Sequence, residues 1–269
     1  MINKLTSTLS ILALAGMALS CKGVFEFSPN QIVLEEAEKN LRSKNIEKIR
    51  AITPGDTLRF IVASDTHQWL DETADFVKSA NQQANVSFVA HLGDVTATST
   101  TQEYKWFNKA MASLKYPYVT ALGEMDTPGD GAVYKQMFGE FNYSFALAGH
   151  KFVFLNTNSS VFPASVAVPD LGWLATQISG DNSATDVIVL GHTPPFDADF
   201  KTSAQQQFAN TLSSSGKVRL SFFGHQHTFS QSEPYKDGVR YYVTAALSVR
   251  QYLVVSLWEK GYKVSPVTF

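Results

Sequence analysis

The sequence predicts an α/β fold of two facing mixed β-sheets flanked by helices, a four-layer αββα sandwich, and three observations lead to it. The runs LRFIVAS, VSFVAHL, YVTAL, DVIVL and VRLSFF are strand-length, β-branched or aromatic, and too apolar to keep one face in water. Such runs read as strands buried inside a layered sheet. Amphipathic stretches separate the first three, which is the βαβ rhythm of a parallel start. Later runs joined by short turns call for antiparallel pairing, so the sheets are mixed.

The elements follow in chain order. Lys4 supplies a small positive region, and Leu5 to Leu19 is apolar apart from Thr and Ser. Residues 1–20 therefore read as an export signal, too short for a comfortable membrane span. Cys21 is the chain's single cysteine, so no intrachain disulfide can form. A lone Cys at the end of a signal resembles the lipid-modified Cys of bacterial lipoproteins. The alternatives are a plain secretory signal or a chance buried Cys. Residues 21–57 read as a lipid-anchor tether and one helix. Ser28-Pro29 serves as N-cap and first helical position, and QIVLEEAEKNLRSKNIEKIR carries apolar residues at helical spacing until Pro54-Gly55. That helix is expected to pack and to space the body from a membrane.

Residues 58–269 form the body. DETADFVKSANQQA and TQEYKWFNKAMASLK read as helices between the first strands, and FNYSFALAGHKFVFLNT as a hairpin turning at Ala148-Gly149-His150. DLGWLATQIS is a short helix with Trp173 and Leu174 on its apolar side. GVRYYVTAA, YLVVSLW and YKVSPVTF read as a closing meander, turning at Glu259-Lys260-Gly261. The chain has 269 residues, 44% of them hydrophobic and 17% charged, with a formal net charge of −2. That balance fits an ordinary globular protein and gives no nucleic-acid-binding surface and no electrostatic attraction to anionic membranes. The only expected membrane partner is the lipid anchor.

Function has to come from the strand ends. LRFIVAS runs into Asp65-Thr66-His67, VSFVAHL into Gly93-Asp94, and YVTAL into Gly123-Glu124-Met125-Asp126. DVIVL runs into Gly191-His192, and VRLSFF into Gly224-His225-Gln226-His227. Residues just past the carboxyl ends of such strands share one rim, where open α/β sheets build their sites. Asp65 and His67, one residue apart, can turn toward one ion, and Asp94 can bridge it to a second. His192, His225 and His227 complete two mixed N and O shells. Such a mixture suits two divalent or trivalent ions of Zn, Mn or Fe better than Ca or Mg.

The order and flanks of these blocks resemble the calcineurin-like metallophosphoesterases, whose pattern is Asp-x-His, Gly-Asp, Gly-Asn-His-Asp/Glu, His, then Gly-His-x-His. Four of the five blocks match, over about Leu58 to Val243. The resemblance implies the same two-sheet fold and two metal ions. The first would be held by Asp65, His67, Asp94 and His227, and the second by Asp94, His192 and His225, with Glu124 at the Asn position. It also implies hydrolysis of a small phosphate mono- or diester by hydroxide held on the metal.

The departure lies at Gly123-Glu124-Met125-Asp126. Glu124 can still reach a metal and adds negative charge. Met125 stands where the family has the His that contacts phosphate and assists the leaving group, and a thioether cannot donate a proton. Water or Asp126 is the expected substitute acid, and Asp126 reads equally well as the cap of the helix after Pro128. The alternative is a catalytically impaired protein that binds metal or phosphate on the same scaffold. His91, inside an apolar strand, reads as core or as support behind the ligands, and His150 as exposed at its turn. Asn156, Thr157 and Asn158 leave a strand end and line the substrate side or a turn. Lys201 and Arg250 read as surface charges. The expected location is the bacterial cell envelope.

Overall fold

The computed structural model describes residues 31–128, 130–180, 184–259 and 261–269. The expected export signal and Cys21 lie outside these residues. Ile32–Phe269 is one compact unit. Among the described residues, no helix is long and apolar enough to cross a membrane.

The N-terminal helix is shorter than its periodicity suggests. A 3₁₀ turn at Glu36–Glu38 precedes helix α1 (Leu41–Arg50), with Asn40 between them in the left-handed conformation, φ 53°. A left-handed residue stops a helix from propagating, and Asn accepts it more readily than most. Helix α1 docks on the body: Asn45 donates to the Tyr118 carbonyl at 2.9 Å. Arg42 donates to the Glu140 carbonyl, and its guanidinium lies 3.9 Å from the centre of the Tyr143 ring. The buried face of α1 is thus Arg42, Asn45 and Ile49.

Strand β1 (Thr57–Ala63), helix α2 (Leu70–Ala80), strand β2 (Val86–His91), helix α3 (Thr101–Met111) and strand β3 (Tyr118–Thr120) form the expected parallel start. Thr100 caps α3, with Glu103 returning to the Thr100 backbone in a capping box. After helix α4 (Ala132–Phe138), β4 (Tyr143–Leu147) and β5 (His150–Phe154) form the hairpin, paired from Tyr143 with Phe154 to Leu147 with His150. Helix α5 (Leu171–Ser179), β6 (Asp186–Leu190), α6 (Thr202–Ser213) and β7 (Val218–Phe223) follow. The chain ends with β8 (Ser230–Ser232), β9 (Arg240–Val243), β10 (Gln251–Trp258) and β11 (Gly261–Thr268).

Two sheets result. The first has five strands in the order β11-β10-β1-β2-β3, and the second six in the order β4-β5-β6-β7-β9-β8. The expected closing meander is therefore divided. Strand β9 lies parallel to β7 in the second sheet, whereas β10 crosses to the first and pairs antiparallel with β1. Within that stretch β10 and β11 pair as a local hairpin.

Strict alternation along the strands builds the layers. Phe60, Phe88 and Leu253 of the first sheet meet Phe152, Phe154 and Phe222 of the second in a shared inner core. Ring centroids of Phe88 and Phe152 are 5.0 Å apart in an edge-to-face contact. Their neighbours face outward: Ile61, Val89 and Val254 pack on Phe76 and Phe107 of α2 and α3, and Val153, Val189 and Phe223 pack on Leu174 and Phe208 of α5 and α6. Helices thus cover the outer face of each sheet, giving the four layers. Emptying one inner position, as in Phe60→Ala, removes about 3–5 kcal/mol on the usual scale for buried aromatics.

Candidate metal centre

Five strands, three from the first sheet and two from the second, deliver their carboxyl ends to one place. The delivery depends on an abrupt turn at each end. Asp65, His67, Asp94, His225 and His227 all have left-handed backbones, with φ between 46° and 69°. Each such non-glycine residue costs about 1–2 kcal/mol, so the surrounding structure has to impose the geometry. Backbone bonds impose it by tying loop to loop: Asp65 N–H donates to the Gly93 carbonyl and His67 N–H to the Asp94 carbonyl. Close approach explains the glycine before Glu124. A Cβ on Gly123 would stand 2.0 Å from Asp94 Oδ1, and one on Gly93 would stand 2.6 Å from the Gly123 nitrogen.

The seven residues expected to bind metal converge. Asp65, His67 and His227 form one group, and Glu124, His192 and His225 another. His227 Nε2 lies 3.3 Å from Asp65 Oδ1 and 3.3 Å from His67 Nε2. Glu124 places Oε2 2.6 Å from His192 Nε2 and Oε1 2.8 Å from His225 Nδ1. Asp94 stands between the groups, with Oδ2 3.6 Å from both His67 Nε2 and His192 Nε2. That is the position a bridging carboxylate needs.

Hydrogen bonding decides which atoms remain free. Asp94 Oδ1 accepts from Met125 N–H at 2.9 Å, and Asp65 Oδ2 from His225 N–H at 3.2 Å. His192 Nδ1 donates to the Leu92 carbonyl at 2.7 Å, which turns the Nε2 lone pair toward the centre. Asp65 Oδ1, Asp94 Oδ2, Glu124 Oε2 and His192 Nε2 are buried and make no hydrogen bond, the last two meeting each other as an ion pair at 2.6 Å. Four orphaned buried ligand atoms facing one space are costly without a cation. The residues present therefore fit a metal centre.

The charges agree. Burial pushes the Asp94 carboxyl up to about 8, with Asp126, Glu124 and Asp65 adding to it against the pull of His192. Burial also opposes ionisation of Glu124, but His192 and His225 hold its carboxyl well below the usual range. For His192 burial disfavours the imidazolium, yet Asp94, Glu124 and Asp65 raise its pKa well above the ordinary value. His67 is lowered, chiefly by burial. Crowded carboxylates sharing protons with imidazoles are what a cation replaces.

Asp126, the expected substitute acid, has its carboxylate engaged by the surrounding loops. It is fully buried, and its oxygens accept from the backbone of Gly123, Val95 and Thr96 and from the Thr96 hydroxyl. It braces the loop that carries Glu124. Met125 sits at the rim, 38% exposed. His91 is buried behind the site and 2.9 Å from Thr66 Oγ1, and burial lowers its pKa to about 3. His150, expected to be exposed, is buried at the start of β5, 3.4 Å from Asp186. Asn156, Thr157 and Asn158 are buried supports: Thr157 Oγ1 accepts from His192 N–H, and Asn158 accepts from Thr193 and donates to the Leu122 carbonyl. Arg250 is bound to Asp75 and the Phe269 carbonyl.

Two carboxylates escaped the sequence reading. Asp199 Oδ2 and Asp197 Oδ1 lie 3.2 and 3.6 Å from His225 Nε2. Their Asp-x-Asp spacing, soon after the strand end at His192, was the available signal. Asp199 also lines a cleft of about 310 Å³, together with Ser159, Phe162, Val166 and Lys201.

Comparison with known proteins places this geometry. The pattern of the calcineurin-like phosphoesterases matches residues 58–229. None of the curated proteins compared matches the chain. Among solved structures, a zebrafish (Danio rerio) dimetal phosphatase is 13% identical, with a TM-score of 0.60, covering 78% of this chain and 98% of that one. A purple acid phosphatase from yellow lupin seeds is also 13% identical, with a TM-score of 0.62, over 80% of this chain and 52% of that one. A Thermus thermophilus protein is 16% identical at a TM-score of 0.55, covering 79% and 99%. At these identities the likeness is one of fold. The chain belongs to the calcineurin-like phosphoesterase family, and that membership together with the ligand cluster assigns it a divalent-metal site.

Proposed function

We propose that this phosphoesterase carries two metal ions and hydrolyses phosphate mono- or diesters in the bacterial cell envelope. The observation that supports it best is the set of four orphaned ligand atoms, with Asp94 Oδ2 equidistant from a histidine of each group. Asp65, His67, Asp94 and His227 would hold one ion, and Asp94, Glu124, His192 and His225 the other. The donor set of imidazoles and carboxylates favours Mn, Zn or Fe. When bound, such ions supply the Lewis acidity that makes a nucleophile from water near neutral pH and neutralises phosphoryl oxygens. The chain's own part is to place them: strained loops aim the ligands, Leu92 fixes the His192 tautomer, and backbone N–H groups hold the outer oxygens of Asp65 and Asp94.

Met125 and the burial of Asp126 favour a second reading, binding without efficient turnover, because no described side chain replaces the usual acid. Hydrolysis of nitrophenyl phosphate mono- and diesters with Mn²⁺ or Zn²⁺, against Asp94→Asn, separates the readings. Metal-dependent turnover lost in the variant supports the enzyme, and tight metal binding without turnover supports the second reading. The apolar stretch before Cys21 supports export and lipid anchoring. Mass analysis of the mature N-terminus tests it: an acylated Cys21 is expected, and cleavage elsewhere removes the anchor from the account.

A further inference from the structure

The centre is unusually acidic for one that meets an anion. Two divalent ions would bring four positive charges, against which Asp65, Asp94 and Glu124 set three negative ones. Asp197 and Asp199 then add two more on the outer edge of His225, within 3.6 Å of its ring nitrogen. Met125, at the rim, can contribute neither charge nor proton. A second phosphoryl charge on the His225 side would therefore face the carboxylates of Asp197 and Asp199.

The neighbouring space points the same way. The cleft of about 310 Å³ begins at Asp199 and is lined by Phe162, Pro163 and Val166 on one side and by Ser159, Lys201 and Thr202 on the other. An apolar side facing hydroxyls gives room for an uncharged alcohol portion. Ser159 Oγ holds the two walls together, accepting from Lys201 N–H and donating to the Asp199 carbonyl. One wall of the cleft thus carries the carboxylate that touches His225.

Resting on the two-metal reading above, we infer that the site selects singly charged phosphodiesters over doubly charged monoesters, with the retained alcohol seated in the cleft beside Phe162 and Val166. Asp199 acts here as a specificity-determining residue: it repels the second charge of a monoester and borders the second substituent of a diester.

The test uses the metal-loaded full chain and the Asp199→Asn and Val166→Trp variants. Calorimetry first counts metal, and a chain that binds none overturns the two-metal reading itself. With metal bound, Asp199→Asn is expected to tighten inorganic phosphate at pH 8 about tenfold and leave dimethyl phosphate within about twofold, the scale of one charge at partial exposure. The kcat/KM ratio of bis(4-nitrophenyl) phosphate to 4-nitrophenyl phosphate should fall by a similar factor. Val166→Trp, which narrows the cleft, should raise KM for the bis-aryl ester about tenfold and leave dimethyl phosphate binding unchanged. Equal responses of both anions to Asp199→Asn, in a chain that binds metal, overturn the inference. So does a Val166→Trp variant that handles the bulky diester normally.

Discussion

The two halves of the centre are held together differently. Glu124, His192 and His225 are linked by their own side chains, with Glu124 reaching both imidazoles, and the His192 side chain is fully buried. Asp65, His67 and His227 meet through longer contacts, 3.3 Å from His227 Nε2 to both Asp65 Oδ1 and His67 Nε2, and the His227 side chain is 48% exposed. All three have left-handed backbones, against His225 alone in the first group, and loop-to-loop bonds hold Asp65 and His67. One half is held mainly by short side-chain contacts and the other more by main chain, so one should keep its shape without metal while the other loosens. Asp94 is the one carboxylate common to both.

Breaking the joint should have the largest effect. Asp94→Asn should lower hydrolysis by about 10³-fold, the scale for removing a group that organises developing charge. It should also weaken both ions in a calorimetric titration, whereas loss of one ion only would show that the halves are independent. Next comes the rim beside the buried half. Met125→His should speed esters of poorly acidic alcohols by about 10²-fold and flatten the dependence of rate on leaving-group pKa. An unchanged rate and slope would mean that this position does not face the leaving group.

pH separates the halves on a smaller scale. A histidine must be neutral to bind metal. The raised pKa of His192 therefore weakens the buried half below that pKa, and the penalty vanishes as pH rises through it. Affinity there should climb up to about tenfold per pH unit, with protons released in buffers of differing ionisation enthalpy. In the open half His67 is lowered, so His227 is the histidine that contributes, while the raised Asp94 carboxyl contributes to both halves alike. Identical pH slopes for both ions would erase the distinction. Smallest is Thr157→Val, which strips the acceptor from the His192 N–H at 3.0 Å. It should cost about 1–3 kcal/mol in urea unfolding and weaken only the ion on the buried side.

Much of this was legible because buried strands announce themselves on both faces. Phe60 and Ile61 face opposite helical and sheet layers, so an unbroken apolar run is the only sequence that fits. The glycine before each of Asp94, Glu124, His192 and His225 marks where a neighbouring loop, by its backbone at Gly93 and Gly123 and by the side chains of Thr157 and Ser64 at Gly191 and Gly224, approaches too closely for a Cβ. What stayed hidden depends on distant pairing. The run YLVVSLW has no local feature that sends β10 to β1 rather than to β9, because the choice is made by residues two hundred positions away. His150 looked exposed because turns usually are, yet its pairing opposite Leu147 and beside Asp186 buries it. Asp126 looked reactive from its neighbours, and only the fold shows its oxygens spent on three backbone amides.

The left-handed conformation at Asp65, His67, Asp94, His225 and His227 has an evolutionary consequence. Glycine adopts that backbone at no steric cost, and asparagine more easily than histidine. Each replacement of a histidine ligand by either would relax the loop by about 1 kcal/mol while deleting a metal donor. At these positions, drift toward a sturdier metal-free fold runs against retention of the centre. A lineage that stopped needing the metal should therefore lose it first here, and gain stability in doing so.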